Sequence, residues 1–171
     1  MTTTIDGSAS VTINSGAILG ITSGTAVAST SGTSIDYTSI PSWVKRITVM
    51  FNGVSTNGTS VVQLQIGSGS FVTTGYAGAA FVTTANSNMS TGFLTSASPG
   101  SAANIRYGIA TLTTLGSNIW IFSVVHGYSD GAYTAYGGGG LTLSGALDRV
   151  RITTVNGTDT FDAGSINIFY E

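Results

Sequence analysis

Nowhere in this chain do apolar side chains recur at i, i+3, i+4 and i+7 over a helix-length stretch without a glycine or a β-branched run breaking the pattern, and an amphipathic helix requires that spacing. Apolar residues come instead in short runs rich in Val, Ile and Thr, bounded by Gly, Asn and Ser, which is the punctuation of strands. The clearest run is 43–52. Its alternation puts Trp43, Lys45, Ile47, Val49 and Phe51 on one face and Val44, Arg46, Thr48, Met50 and Asn52 on the other. Both faces are partly apolar, so this run is expected in the middle of a sheet. In 61–66, Val62, Leu64 and Ile66 are expected to face inward, with Gln63 and Gln65 outward. Runs 104–114 and 118–126, separated by Leu115-Gly116-Ser117, read as a hairpin. Shorter runs are 34–37, 71–74, 79–84, 92–95, 140–143, 147–155 and 165–170. About ten strands at roughly 8–12-residue spacing predict an all-β fold, a single antiparallel β-sandwich or jelly-roll-like domain.

Composition tests that reading against disorder. Glycine contributes 24 residues, yet hydrophobic residues are 42% and aromatics 9%. Disordered chains are poor in aromatic and β-branched residues, so a folded domain is expected. Charge is the unusual quantity. Only 7% of the residues are charged, against about 25% in a typical soluble domain. A surface of hydroxyls, amides and backbone packs against other copies at little desolvation cost, so a homo-oligomer is expected.

The same figures narrow the function classes. A formal net charge of −2 offers no basic excess for a phosphate backbone, so no nucleic-acid partner is expected. Without cysteine there is neither a disulfide framework nor a thiolate zinc site. No window approaches the roughly 20 apolar residues of a membrane span, and no membrane insertion is expected. The opening MTTTIDGS lacks the basic and apolar regions of a secretory signal. Residues 1–30 read as an N-terminal arm for attachment or strand exchange, with short strands at 10–13 and 17–21, and 31–171 as the sandwich.

Few motifs carry chemistry. Gly127-Tyr128-Ser129-Asp130-Gly131 matches the G-x-S-x-G elbow of serine hydrolases, which needs a helix after the serine and a histidine later in the chain. The only histidine, His126, precedes the serine, so no catalytic residue is expected. Glu171 is the sole glutamate, which argues against the carboxylate pair of a glycosidase. Asp159 and Asp162 are too thin a set for calcium, and neither metal nor cofactor is expected. Arg149 and Arg151 share a strand face. They form either an anion site, such as one for sialic acid, or ion pairs with Asp159, Asp162 or a neighbouring subunit.

The stretch 126–140 is expected to be an exposed loop carrying Tyr128, Asp130, Tyr133 and Tyr136. Tyrosine among Gly and Ser suits a recognition loop and stacks on sugar rings; packing on the domain or on another subunit is the competing reading. Residues 84–103 form a second polar loop. One echo links Lys45-Arg46-Ile47-Thr48, leading to Asn52-Gly53, with Val150-Arg151-Ile152-Thr153, leading to Asn156-Gly157. It suggests equivalent places in two facing sheets, each followed by a tight turn.

Two long segments, TAVASTSGTSIDYTSIPSWVKRITVMFNGVSTNGTS (25–60) and LDRVRITTVNGTDTFDAGSINIFYE (147–171), resemble a domain of tailed-bacteriophage virion proteins, and MTTTIDG resembles the start of phage tail-fibre proteins. The resemblance implies a β-sandwich made in the host cytoplasm and displayed on the virion as a homotrimer, joined to other virion proteins through its arm. It carries over no catalytic residues. The expected function is a non-enzymatic, tail-fibre-type adhesin binding a host surface glycan or protein through Tyr128, Asp130, Tyr133 and Tyr136. Only about 24–30 residues precede the domain, where tail-fibre chains have a long shaft, and this raises the case for the alternative, a capsid decoration protein that stabilises the shell, or for a small tail accessory.

Overall fold

The computed structural model describes residues 20–97, 100–131 and 133–171, together with the backbone of 12–13 and 16–17. Among these residues the protein is all-β, without a helix. In chain order the strands are β1 (Thr12–Ile13), β2 (Gly16–Ala17), β3 (Thr22–Ser23), β4 (Val27–Ala28), β5 (Ser34–Thr38), β6 (Arg46–Thr56), β7 (Val62–Ser68) and β8 (Ser70–Phe71). They continue with β9 (Ala77–Val82), β10 (Ala85–Asn88), β11 (Phe93–Leu94), β12 (Arg106–Gly116), β13 (Ile119–Tyr128), β14 (Tyr133–Thr142), β15 (Arg149–Thr154) and β16 (Phe161–Tyr170).

All pairing is antiparallel. A large sheet has the order β10-β9-β14-β13-β12-β6-β16-β3, with β4 also on β16; a small sheet has the order β11-β7-β15-β5, with β8 on β7. Their inner faces share one hydrophobic core, making a β-sandwich. The period of two explains the sorting. Ile47, Val49 and Phe51 of β6 and Leu112 of β12 are buried, and they face Leu64, Ile66, Val150 and Ile152 of the small sheet. Strand β6 lies between β12 and β16, the central place that its two-faced pattern predicts.

Of the expected arm, residues 1–11, 14–15 and 18–19 lie outside the described residues, and with them part of each of its two expected strands; β1 and β2 pair with each other. Residues 20–30 run along β16. Gly24 N–H donates to the Ile168 carbonyl at 2.8 Å, and the buried Ser29 Oγ donates to the Ala163 carbonyl at 2.8 Å.

Two expectations are corrected. Asn52-Gly53 is no turn. Strand β6 continues to Thr56, and Gly53, at φ +67°, is an extra residue between the pairs Tyr107↔Asn52 and Arg106↔Val54. This is a β-bulge, for which a left-handed glycine is suited. Asn156-Gly157 is the turn that was expected; the echo does mark interior strands of facing sheets, but only one of its two ends is a turn.

The segment 126–140 is no loop either. It comprises the end of β13, a short turn and most of β14, and the glycines 137–140 are laddered to β13 on one side and β9 on the other. Glycine is needed at the inward positions. A Cβ at Gly139 would meet the Ala77 carbonyl oxygen at 2.6 Å and Met89 Sδ at 2.8 Å.

Candidate functional site

The outer face of the small sheet gathers a connected set of hydrogen-bonding side chains. On β15, alternation buries Val150 and Ile152 completely and turns Arg149, Arg151 and Thr153 outward. Register then builds rows across three strands. Arg151 lies opposite Asp36 on β5 and Gln65 on β7; Thr153 lies opposite Ser34 and Gln63.

The rows are internally ordered. Arg151 donates through Nε and Nη2 to both carboxylate oxygens of Asp36, at 2.8 and 2.7 Å. Its guanidinium lies 4.1 Å from the Phe71 ring centroid. Gln65 Nε2 donates to the Thr91 carbonyl at 2.9 Å, and Thr91 Oγ1 donates to Gln63 Oε1 at 3.0 Å. Segment 89–92 thereby covers the two glutamines, which face outward as expected and are nonetheless buried.

Charge on this face is cancelled in pairs. Arg149 forks onto Asp148 at 2.7 and 3.1 Å, and this guanidinium holds the Asp148 carboxyl below its ordinary range. Asp36 raises the Arg151 guanidinium further above its already high value through the same hydrogen bonds. The two arginines therefore form ion pairs, but with Asp148 and Asp36. Of the residues expected as their partners, Asp159 accepts from Ser60 N–H at 2.9 Å and from Asn156 Nδ2 at 2.6 Å, while Asp162 accepts from Ser55 Oγ. The described residues contain no cluster of three or more metal-ligating side chains.

An open depression of about 330 Å³ overlies these rows, lined among others by Gln63, Gln65, Thr91, Arg151 and Thr153. It adjoins one of about 430 Å³, with which it shares Thr91, Val155 and Asn156. The 156–160 turn at their edge is fixed by Asn156 Oδ1, which accepts from Thr154 Oγ1, Thr158 N–H and Asp159 N–H. The result is a firm, nearly neutral groove of amides, hydroxyls and guanidinium edges.

The tyrosine site is divided by the pleat. Tyr128 and Tyr133 are a cross-strand pair on the inner face, their rings stacked at 4.5 Å. Tyr128 is buried, with the Arg106 guanidinium 5.3 Å from its ring centroid. Tyr133 accepts from Asn104 Nδ2 at 2.8 Å, and desolvation, followed by the neighbouring Tyr128, raises its hydroxyl pKa. Asp130 is exposed at the turn and accepts from Ile105 N–H at 3.3 Å. Tyr136 lies on the opposite, outer face, stacked on Phe81 at 5.4 Å. So Tyr128, Tyr133 and Asp130 gather at one end of the hairpin, and Tyr136 stands apart from them.

The serine-elbow motif stays unassembled. Ser129 sits in the turn, and the buried His126 is engaged elsewhere, its Nε2 donating to the Thr95 carbonyl at 2.6 Å. Sequence reasoning had Gln63 and Gln65 outward and Arg149 and Arg151 on one face. It missed that β5 delivers Asp36 to Arg151, since no local signal encodes register across 115 residues.

Set against protein-family models, curated proteins and solved structures, the chain matches none of them.

Proposed function

We propose that the chain is a non-catalytic surface protein of a tailed-phage particle that docks on a neutral, hydroxyl-rich host glycan through the small sheet's polar groove. The observation that carries this reading is the charge-cancelled, hydrogen-bonding floor of that groove. An anionic sugar would have to displace Asp36 or Asp148 from an arginine. A neutral polyol loses nothing of that kind and meets fixed donors and acceptors. Each neutral hydrogen bond adds only about 1 kcal/mol net, so single sites would be weak. Several copies on one particle would supply the avidity. Residues 25–60 and 147–171, with their likeness to virion proteins, support the setting.

Binding of the purified protein to immobilised host polysaccharide tests this. Arg151→Leu with Gln65→Leu is expected to weaken binding by roughly tenfold or more, with folding checked by thermal unfolding. Asp36→Asn, which frees Arg151, is expected not to strengthen it. Tighter binding by Asp36→Asn would mean an anionic ligand, and unchanged binding by the double variant would end the groove reading.

A second reading, capsid decoration, is favoured by the nearly uncharged outer face of the large sheet. Labelling on intact particles separates the two: a few copies at the tail tip support the adhesin, and hundreds over the shell support decoration.

A further inference from the structure

The outer face of the large sheet carries a continuous apolar ridge, with Tyr107, Ile121 and Phe169 exposed in other rows. Register aligns Phe81, Tyr136, Val125, Ile109 and Met50 in a single row across β9, β14, β13, β12 and β6. Asn86 on β10 and Asn167 on β16 end the row. Tyr136 is 54% exposed, Val125 56% and Ile109 49%. The next row along the strands is a trough of smaller side chains, running Ala79, Gly138, Ser123, Thr111 and Thr48. The only charged side chain facing outward on these five strands is Arg46 at a corner, and it is paired with Glu171.

The glycines of this face add a separate observation. Inward Gly139 is required by its own chain, as described above. Outward Gly138 is not: a Cβ there would meet nothing closer than the Phe122 carbonyl oxygen, at 3.6 Å. Outward Gly127 would meet nothing within 4 Å, and outward Gly140 nothing closer than 3.5 Å. Glycine weakens a strand interior and is kept where another surface comes close. Among the described residues no such surface lies over Gly138.

We infer that two copies of this chain pair face to face through the outer face of the large sheet, each ridge lying in the other's trough. A two-fold axis in the plane of the interface, parallel to the rows and midway between ridge and trough, superposes every large residue on a small one. Tyr136 then lies over the partner's Gly138, Val125 over the partner's Ser123 and Phe81 over the partner's Ala79. The surface is complementary to itself, as an isologous interface must be. A single face used this way closes at two subunits, so the pairing is a dimer and not the trimer expected from the resemblance.

The area is sufficient. Five strands about 4.8 Å apart and four side-chain rows about 6.7 Å apart cover on the order of 650 Å². A stable interface of standard size takes about 800 Å² from each partner, and the pleated surface exceeds its plane projection. Almost no charge is desolvated. Packed sheets of this kind align within about 30° and need no further element between them. The inference is independent of the glycan reading and concerns the opposite side of the sandwich.

Sedimentation velocity on the full chain at micromolar concentration is the test. A dimer of the 17.3 kDa chain is expected. Gly138→Val, which fills the trough at a position its own chain leaves open, and Val125→Lys, which places a charge on the ridge, should each weaken dimerisation roughly tenfold or more, with thermal unfolding confirming that the variants fold. The chain has no cysteine, so single thiols report geometry. A mixture of Val125→Cys and Ser123→Cys chains should cross-link with a short bifunctional thiol reagent better than either variant alone. A monomeric wild type, a trimer, a dimer indifferent to both substitutions, or equal cross-linking in all three samples would each overturn the inference.

Discussion

Between pH 6.5 and about 4 the folded protein is expected to lose on the order of 3 kcal/mol of stability through His126. Burial first, and the Arg106 charge to a smaller extent, bring this imidazole down from 6.5 to about 4, against the opposing hydrogen bond to the Thr95 carbonyl. An unfolded chain takes up the proton near 6.5, whereas the folded one resists it until about 4. In that window the unfolded state holds the extra proton, so acid draws the equilibrium toward it. The contribution is complete above pH 6.5, declines through the window and is spent below pH 4. His126 is the only histidine, so the slope has one principal source. The bond it makes also ties the sheets together, because Thr95 donates through both N–H and Oγ1 to the Val62 carbonyl on β7. Denaturant midpoints between pH 7.5 and 4 check this. His126→Gln, which keeps a donor for Thr95, should flatten the profile, and a wild-type profile already flat there would contradict a buried neutral imidazole.

The sandwich was legible because its strands announce themselves twice, by β-branched residues and by alternation. Val62-Leu64-Ile66 needed no tertiary information to be assigned an inner face, and Ile47-Val49-Phe51 needed none to be placed together on one face; all six are buried. The glycines 137–140 failed for the opposite reason. Local preference says loop, and what makes them strand is the ladder to β13 and β9 on either side. Missing that strand placed Tyr128, Tyr133 and Tyr136 on one flexible loop, when the pleat sends Tyr136 to the far face from the other two. The groove was legible in part: its residues lie on three strands, and only pairing register brings Asp36, Arg151 and Gln65 into one row. The ridge is the same case on a larger scale, since Phe81, Tyr136, Val125, Ile109 and Met50 belong to five strands.

Under the two proposals the two outer faces have separate roles. Pairing through the large sheet leaves the small sheet of each copy on the outside of the dimer, so its two grooves face away from one another. Both could engage ligands at once on separate chains of a surface polysaccharide. The near absence of charge, unusual for a lone domain, would follow from the proposed pairing: one face would be dry against a second copy, and the other cancels its ions in pairs.

The largest mutational effect is expected at Phe93. Its fully buried ring stacks on Phe122 of the large sheet, with centroids 4.7 Å apart and planes 7° from parallel, and meets Tyr76 edge-on at 4.7 Å. Tyr76 in turn is held by its hydroxyl, which accepts from Ile66 N–H at 2.8 Å and donates to the Val72 carbonyl at 2.9 Å, so it cannot swing into a vacated space. Phe93→Ala should therefore leave a cavity that collapses poorly and cost about 3–5 kcal/mol, a drop of roughly 10 °C in Tm for a chain of this size. Gly139→Ala attacks the same place from the other sheet. Its methyl would meet the Ala77 carbonyl oxygen at 2.6 Å, Met89 Sδ at 2.8 Å and the Phe93 ring at 3.3 Å, for about 1–3 kcal/mol of overpacking. Combining the two should cost less than their sum by about 0.5–1 kcal/mol. The methyl then occupies part of the cavity and loses its ring contact, while the clash with the Ala77 backbone remains. Strict additivity in denaturant unfolding would mean that Phe93 does not pack over Gly139, and with that the reason for an inward glycine at the centre of β14 would rest on the Ala77 carbonyl and Met89 alone.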